Sequence, residues 1–451
     1  MWSAYLDTSP LRAGVTRALG VASRRAYFGP FAPLRTRQLK RTELPGKRWV
    51  RVRNAMAGIS GWDVALALLR TDARVSPMAL PRQPRVYLGH EVCGEVVDVG
   101  PEVQFVRIGD RVAYQLDQCC ETREIEPPCA YCAAGNYNLC ENRYLPGQSA
   151  IGGGWGDEMV VHERQLFLVP DALSDEQAAL LEPAATALHA VLKHQPQPGE
   201  NVLVLGAGTL GLLVTQVLRA MSPNVGITVQ ARHPFQVEMA THLGASRILY
   251  PEDGAKGVTR YTGARHFRKR FGGELLIGGF DAVYDAVGTP ESVQNALRWV
   301  RAGGTVVLAG SHLAPMRLDM TPVWHQEVRL LGATGHGTER WPGNAPLTGW
   351  EGDQGGRVST FALAAALMRE RRLTPQRLVT HRFPLRELRR ALTVARDKAQ
   401  HRAIKVLLDI RDVPSVEVTE ADLELLQEEQ RAPRRTQAPL PSPDEPVAHA
   451  G

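Results

Sequence analysis

Nowhere in its 451 residues does the chain stay apolar for the roughly 20 residues that a bilayer-spanning helix needs. That excludes a transmembrane anchor. Charge of one sign is also scarce: 53 Lys and Arg against 47 Asp and Glu leave a formal net charge of +6. For this length that is small, so composition gives little argument for a nucleic-acid or other polyanionic partner. The densest basic cluster, Arg265 to Arg270, reads as a solvated helix face or loop. The N-terminus carries Arg12, Arg17, Arg24 and Arg25 but lacks the apolar core of a secretory signal, so the cytoplasm is the expected compartment. Internal repeats are absent. Two domains plus a tail is the expectation for this length.

Cysteine is sparse as well, six in all, and unevenly placed. Cys119, Cys120, Cys129, Cys132 and Cys140 share one short stretch, while Cys93 stands alone in an apolar run and reads as core. Disulfide scaffolds spread their cysteines. Clustering around a Cys-x2-Cys spacing, Cys129-Ala130-Tyr131-Cys132, suggests a metal.

What the chain does have is a change of texture. The first 24 residues read as a short helical or irregular prelude. Trp49-Val50-Arg51-Val52-Arg53 then alternates like a half-buried strand. Short strands broken by Gly and Pro follow to about residue 180, as in a compact β-rich domain. Ser174 to His194 reads as a helix capped by Ser174 and Gln177, with a kink or restart at Pro183. From Asn201 strands and helices alternate, with strands at Val202–Leu205, Val225–Val229, Asp281–Asp285, Thr305–Ala309 and Val328–Leu331. This is the pattern of an α/β fold with a doubly wound parallel sheet. After about residue 336, His381–Leu385 and Ala403–Leu408 read as strands returning to the first domain. Beyond Asp412 the composition turns Pro-, Glu- and Arg-rich, which predicts a disordered tail over 412–451 with a short helix at Thr419 to Gln430.

Two motifs carry chemistry. Gly206-Ala207-Gly208-Thr209-Leu210-Gly211 lies between an apolar strand and an apolar helix, the setting a dinucleotide fingerprint requires. Gly206 permits the tight turn, Gly208 lets the backbone approach a pyrophosphate, and Gly211 lets helix and strand pack closely. The phosphates would then rest on N–H groups at the helix N-terminus, around Thr209 and Leu210. An NAD site places an acid near the end of the second strand, but here the chain reads Val229-Gln230-Ala231-Arg232-His233 and has no carboxylate until Glu238. A guanidinium at Arg232 suits a 2′-phosphate, so NADP is the expected coenzyme, with NAD left open. The second motif is Gly89-His90-Glu91-Val92-Cys93-Gly94, a His-Glu pair ahead of a Gly-punctuated strand.

In this order and at this separation the two motifs resemble the zinc-containing medium-chain alcohol dehydrogenase/reductase superfamily, over roughly residues 40 to 410. Gly279-Phe280-Asp281-Ala282-Val283-Tyr284-Asp285-Ala286-Val287-Gly288 and Ala302-Gly303-Gly304-Thr305 match its pattern too. The resemblance implies a GroES-like β-rich catalytic domain over 1–186, a Rossmann domain over 187–335 and a return to the catalytic domain over 336–411. It places Val287 and Gly288 near the nicotinamide ribose. It also implies a structural zinc lobe at about 115–145 held by Cys129, Cys132 and Cys140. The position of the lobe's remaining cysteine is Glu126 here, so Glu126, Cys119 or Cys120 would complete the tetrahedron. The family's catalytic zinc takes a Cys from a Gly-Ile-Cys-Gly-Thr-Asp-like run, the His of Gly-His-Glu and a later Glu or Cys. In this chain the run reads Gly58-Ile59-Ser60-Gly61-Trp62-Asp63. Ser60 replaces the thiolate, and Trp62 replaces the hydroxyl residue that relays the substrate proton. His90 and Glu91 are intact, and Leu181-Glu182-Pro183 supplies the third ligand, Glu182. The implied site is therefore Ser60, His90, Glu91 and Glu182, with zinc on His90 and Glu182 and either Glu91 or water.

Three functions follow. The first is a zinc-assisted NAD(P)-dependent alcohol dehydrogenase or carbonyl reductase, acting on a small molecule and assembling as a homodimer or homotetramer like its relatives. The second is a zinc-free enone or quinone reductase using Ser60 or charged His90 as donor. The third is a non-catalytic NADP-binding protein. Nucleic acid and membrane are not expected partners.

Overall fold

The structure, a computed structural model, describes residues 1–72, 85–115, 118–143, 150–268, 270, 274–340, 357–411 and 416–417. The tail expected beyond residue 412, with its helix at Thr419 to Gln430, lies outside the described residues save for 416–417.

In chain order the first part carries β1 (Trp2–Asp7), α1 (Pro10–Ala22), β2 (Leu34–Gln38), β3 (Trp49–Ile59), α2 (Gly61–Ala67), β4 (Arg85–Tyr87), β5 (Val92–Val99) and β6 (Arg111–Tyr114). A short helix α3 (Ala130–Ala133), β7 (Glu158–His162) and β8 (Leu166–Leu168) follow. The prelude over the first 24 residues is helical in α1, but its start is corrected: β1 is the centre of a three-stranded sheet, antiparallel to β2 on one side and β4 on the other. Its partners lie far along the chain, so nothing local signals the strand.

The spine of the β-rich unit is β3, which pairs antiparallel with β5 and β7. Its alternation does not mean half-burial. Arg51 is 2% exposed, because its guanidinium donates to the Thr42 carbonyl and lies 3.5 Å from Glu158 and 3.7 Å from Asp98. Cys93 is buried in β5, as expected of a core residue.

Ser174 caps α4 (Asp175–Ala179) in a reciprocal box with Gln177, and the chain restarts as α5 (Leu181–Lys193). Pro183 is the third residue of α5, where a missing N–H costs no helical bond. It therefore marks a restart and not a kink.

Next come β9 (Asn201–Leu205), α6 (Thr209–Met221), β10 (Gly226–Gln230), α7 (Pro234–His242), β11 (Arg247–Leu249) and α8 (Gly254–Thr262). Then β12 (Arg265–Arg268), β13 (Glu274–Ile277), β14 (Phe280–Asp285), α9 (Pro290–Trp299), β15 (Val300–Leu308), α10 (Thr321–His325) and β16 (Arg329–Gly332) complete the unit. Six of these strands form a parallel sheet in the order β11-β10-β9-β14-β15-β16. Strand order reverses between β9 and β14, the switch point at which doubly wound sheets bind nucleotides. Val202 to Leu205 in β9 are wholly buried. The basic stretch is corrected as well: Arg265–Arg268 is no helix face or loop but β12, antiparallel to β13. Its low apolar content hid a strand made by local pairing.

The chain then forms β17 (Thr338–Arg340), β18 (Arg357–Ser359), α11 (Thr360–Arg369), β19 (Val379–Pro384), α12 (Leu388–Arg396), α13 (Lys398–His401), β20 (Lys405–Asp409) and β21 (Val416–Glu417). β20 runs antiparallel to β3 and parallel to β19, so the C-terminal strands rejoin the first sheet. No helix among the described residues is long and apolar enough to cross a membrane. The end of β3, the start of β5, the first turn of α5 and the start of β20 carry the residues of the site.

Candidate active site and metal centres

His90 is aimed by two carboxylates. Its Nδ1 lies 3.6 Å from Asp63 Oδ2, and its Nε2 lies 4.0 Å from Glu182 Oε2. Asp63 is itself fixed, since Oδ1 accepts from the Gly89 N–H at 3.2 Å. Gly89 has φ +83°, and a Cβ there would strike Trp155 at 2.5 Å, so this turn requires glycine. Glu91 Oε2 accepts from the buried Lys405 Nζ. Gly58 leaves room for that carboxylate, because a Cβ at 58 would lie 1.8 Å from Glu91 Oε2. His90, Glu91 and Glu182 each bring a ligand atom within 4.8 Å of the others.

Ser60 is spent differently. Its hydroxyl donates to Asp63 Oδ2 at 2.7 Å and accepts from the Asp63 N–H at 3.0 Å, closing a capping box on α2. It therefore stands beside His90 through a shared carboxylate. Glu182 has a partner on its own helix: Thr186 Oγ1 donates to Oε1 at 3.1 Å, leaving Oε2 toward His90.

Electrostatics follow from packing three acids around one imidazole. Burial would lower His90, but Asp63, Glu182 and Glu91 outweigh it and push the metal-free imidazole up to about 10. Burial raises Asp63, yet His90 and the Ser60 and Gly89 hydrogen bonds hold its carboxyl below the usual value. Burial pushes Glu91 up against the pull of Lys405. A dense anionic pocket around a histidine is a donor set suited to a divalent cation.

The coenzyme cradle is built at the C-terminal end of β9. Gly206 has φ +92° and packs on Val287, whose Cγ2 would lie 2.5 Å from a Cβ at 206. A Cβ on Gly211 would lie 1.8 Å from the Gly206 carbonyl oxygen. Gly208 caps α6 without a side-chain bond and faces open space, so the helix N-terminus is clear for a phosphate. Val287 and Gly288 are held by Asp285 Oδ1, which accepts from their N–H groups at 2.8 and 3.0 Å. Arg232 is exposed just beyond β10. Thr209 Oγ1 donates to the Ile404 carbonyl at 3.0 Å, tying the fingerprint helix to the residue before Lys405.

In the lobe the sulfurs of Cys120, Cys129, Cys132 and Cys140 lie within 4.8 Å of one another. Glu126 is exposed and outside this group, which corrects the position-by-position match. The turn at Glu121–Arg123 instead brings in Cys120, whose Sγ accepts from the Cys129 N–H at 3.2 Å and Asn142 Nδ2 at 3.1 Å. N–H groups of Cys132 and Glu141 pull the Cys129 thiol down to about 6, while burial pushes Cys132 and Cys140 up. A cation at the centre would favour the thiolate in all four.

Among the residues that bear on the site, the sequence left Thr186 and Lys405 unnamed and gave Asp63 no role. Thr186 had a signal, being one helical turn from Glu182. Asp63 had one too, as the acid of a Ser-x-x-Asp cap. Lys405 had none, standing 314 residues from Glu91.

Comparison with known proteins is consistent across sequence and structure. Residues 46–171 match the alcohol dehydrogenase GroES-like domain, and residues 209–348 match the zinc-binding dehydrogenase domain. The chain is 32% identical over 276 residues to the probable D-xylulose reductase A of Arthroderma otae, covering 61% of this chain and 72% of that one. It is 31% identical over 299 residues to sorbitol dehydrogenase of Arabidopsis thaliana, covering 66% and 76%. A zinc-binding dehydrogenase from Sinorhizobium meliloti 1021, solved bound to NADP, superposes with a TM-score of 0.63 at 26% identity, covering 83% and 96%.

Two outcomes follow from this geometry. Cys120→Ser should release the lobe's metal, whereas Glu126→Gln should leave metal content unchanged by elemental analysis; the reverse pattern would restore Glu126 as ligand. Thr186→Val should weaken metal binding near His90 by roughly tenfold or more, as loss of a ligand's supporting hydrogen bond does, with Thr186→Ser close to the parent. Equal affinities in a competition titration against a chromogenic chelator would show that Thr186 does not set the carboxylate.

Proposed function

The chain belongs to the zinc-containing medium-chain alcohol dehydrogenase/reductase superfamily, and from that premise we propose a site, a coenzyme and a substrate class. It is an NAD(P)-dependent oxidoreductase that exchanges a hydride between nicotinamide and an alcohol or its carbonyl counterpart. We assign the catalytic zinc to His90 and Glu182, with Glu91 or water completing the set, and a structural zinc to Cys120, Cys129, Cys132 and Cys140. The single observation that carries this reading is the convergence of half-buried His90 with buried Glu91 and Glu182 in one cluster. Through Lys405, Ile404 and Thr209 that cluster is joined to the fingerprint helix.

When bound, zinc supplies Lewis acidity to the substrate oxygen, and the nicotinamide accepts or gives the hydride. The protein's own part is orientation. Asp63 holds the His90 ring by Nδ1 so that Nε2 points at the ligand group, the second-shell arrangement common to ligating histidines. Thr186 holds Glu182 by one oxygen and frees the other. Lys405 neutralises Glu91, so the pocket does not carry three uncompensated acids. The family's relay hydroxyl is Trp62 here. The nearest hydroxyl on the same turn, Ser60, is hydrogen-bonded to Asp63 and offers a path for the substrate proton along that bond.

For coenzyme we favour NADP, bound with its diphosphate at Gly206, Gly208, Thr209, Leu210 and Gly211, its nicotinamide ribose near Val287 and Gly288, and its 2′-phosphate on Arg232. For substrate we favour a polyol or the corresponding ketose, the class for which the xylulose and sorbitol relatives are named. Trp62 would narrow the pocket. We take the domains as 1–186 with 336–411, and 187–335, working in the cytoplasm as a homodimer or homotetramer.

Purified protein should oxidise sorbitol or xylitol with NADP⁺ and do so less well with NAD⁺. His90→Ala or a strong chelator should remove the activity. Arg232→Asp should reverse the coenzyme preference by about tenfold or more, the order of one charge-assisted phosphate contact. Activity that survives chelation would return the zinc-free reading, and tight NADPH binding without turnover the non-catalytic one. Ser60→Cys should raise zinc occupancy by supplying a thiolate, while costing α2 roughly 1 kcal/mol of cap. Full occupancy in the parent, unchanged by the substitution, would mean that other groups already complete the site.

A further inference from the structure

The N-terminal helix carries its apolar side outward. Leu11, Val15, Leu19 and Val21 of α1 are 76%, 38%, 49% and 91% exposed. Gly14, Ala18 and Ala22 fall between them at helical spacing and are exposed too. The inward side is polar and bonded. The Thr16 hydroxyl donates to the Phe31 carbonyl at 3.4 Å, and Arg17 Nη2 donates to the carbonyls of Leu69 and Thr71 at 3.3 and 2.9 Å. Arg12 pairs with Asp7 at 3.2 Å. These bonds fix the roll of the helix, so its apolar side cannot turn inward without breaking them. Phe31, in the segment that follows, is 62% exposed as well. A contiguous exposed apolar face of this kind marks a contact surface.

Charge selects the partner. From Thr8 to Thr42 the chain has no Asp or Glu and eight Arg or Lys residues, more than the net +6 of the whole chain, so the remaining residues together carry −2. Arg25, Arg37 and Lys40 are exposed, and Arg41, exposed too, pairs with Glu158 at 3.2 Å. An apolar helix face within a basic lobe is the composition of a segment that lies on a membrane surface.

We propose that the outward face of α1, together with Phe31, adsorbs to an anionic lipid surface. The apolar side chains enter the headgroup boundary and the surrounding bases meet lipid phosphates. Adsorption needs no spanning helix, and none of the site's residues lies on α1. A second copy of this chain fits the face less well. A 13-residue helix is about 20 Å long and presents on the order of 200 Å² of one face, against roughly 800 Å² per partner in a stable dimer. Two such basic lobes would also repel each other.

The test is co-sedimentation of the full chain with vesicles of phosphatidylcholine alone and of phosphatidylcholine mixed with phosphatidylserine, at low and high salt. Binding is expected on the mixed vesicles, about tenfold weaker on the neutral ones, and weakened by salt. Leu11→Asp with Leu19→Asp should abolish it while dehydrogenase activity and thermal melting stay at parent values. Arg25→Glu with Lys40→Glu, which leaves the apolar face of α1 untouched, should weaken it as salt does. Binding to neither vesicle, or binding indifferent to both double variants, overturns the proposal. So does a change in the sedimentation coefficient of the lipid-free protein on Leu11→Asp with Leu19→Asp, which would give the face to a second copy.

Discussion

The buried pairing of Glu91 with Lys405 is the constraint around which the site is arranged. Both side chains are almost wholly out of water. A carboxylate buried without its cation would raise its own pKa or drive the neighbourhood apart. The pair needs three things at once: a glycine at 58 to make room for the carboxylate, β20 returned beside β3 to deliver the lysine, and a histidine next to Glu91 facing the other two acids. The return of the C-terminal strands to the first sheet is thus a requirement of the site and not a detail of topology. A single-pass β-rich domain ending before α5 could not neutralise its own acids.

The same pairing joins the two halves of the molecule. Lys405 follows Ile404, whose carbonyl takes the hydroxyl of Thr209 on the fingerprint helix. The first turn of that helix is where a diphosphate would rest, and the first turn of α5 carries Glu182. Those two helices pack against each other within one continuous core. The coenzyme cradle and the ligand group are consequently held by rigid elements that share neighbours, the condition for fixing hydride donor and substrate oxygen at a constant separation. The thiol lobe is fastened separately. Its loop is tied to β17 and β18 by Thr338 to the Gly135 carbonyl and by Arg357 to Asn136, at 2.6 and 2.8 Å. His189, two turns along α5 from Glu182, lies against Asn138 of the lobe and pairs with Glu339.

Departures from the family's pattern prove instructive where the structure absorbs them. Replacing a ligating thiol by Ser60 removes an anionic donor but creates a helix cap whose partner, Asp63, is the acid that orients His90. Moving a thiol from position 126 to Cys120 keeps four sulfurs together because a tight turn shortens the distance that the sequence lengthened. In both cases a neighbouring group takes up the change, Asp63 of the same motif in the first and Cys120, outside the motif, in the second.

What the sequence determined by itself were features written in local backbone demands and short spacings. Gly206 and Gly211 of the fingerprint were legible because a positive φ at the one and a 1.8 Å approach at the other admit nothing else. The buried strand β9 was legible from its unbroken apolar run Val202–Leu205, and His90 and Glu182 from motifs a few residues long. Tertiary structure alone decided the rest. Lys405 could not be read because its partner is 314 residues away. Arg51 alternates like a solvent-facing residue yet is buried by acceptors from three other segments. Cys120 could be chosen over Cys119 and Glu126 only once the turn had folded. The strand β1 exists only because two distant segments supply its hydrogen bonds. Outside the lobe the deciding interaction is long-range, and a residue's neighbours along the chain carry no record of the group it will meet across it.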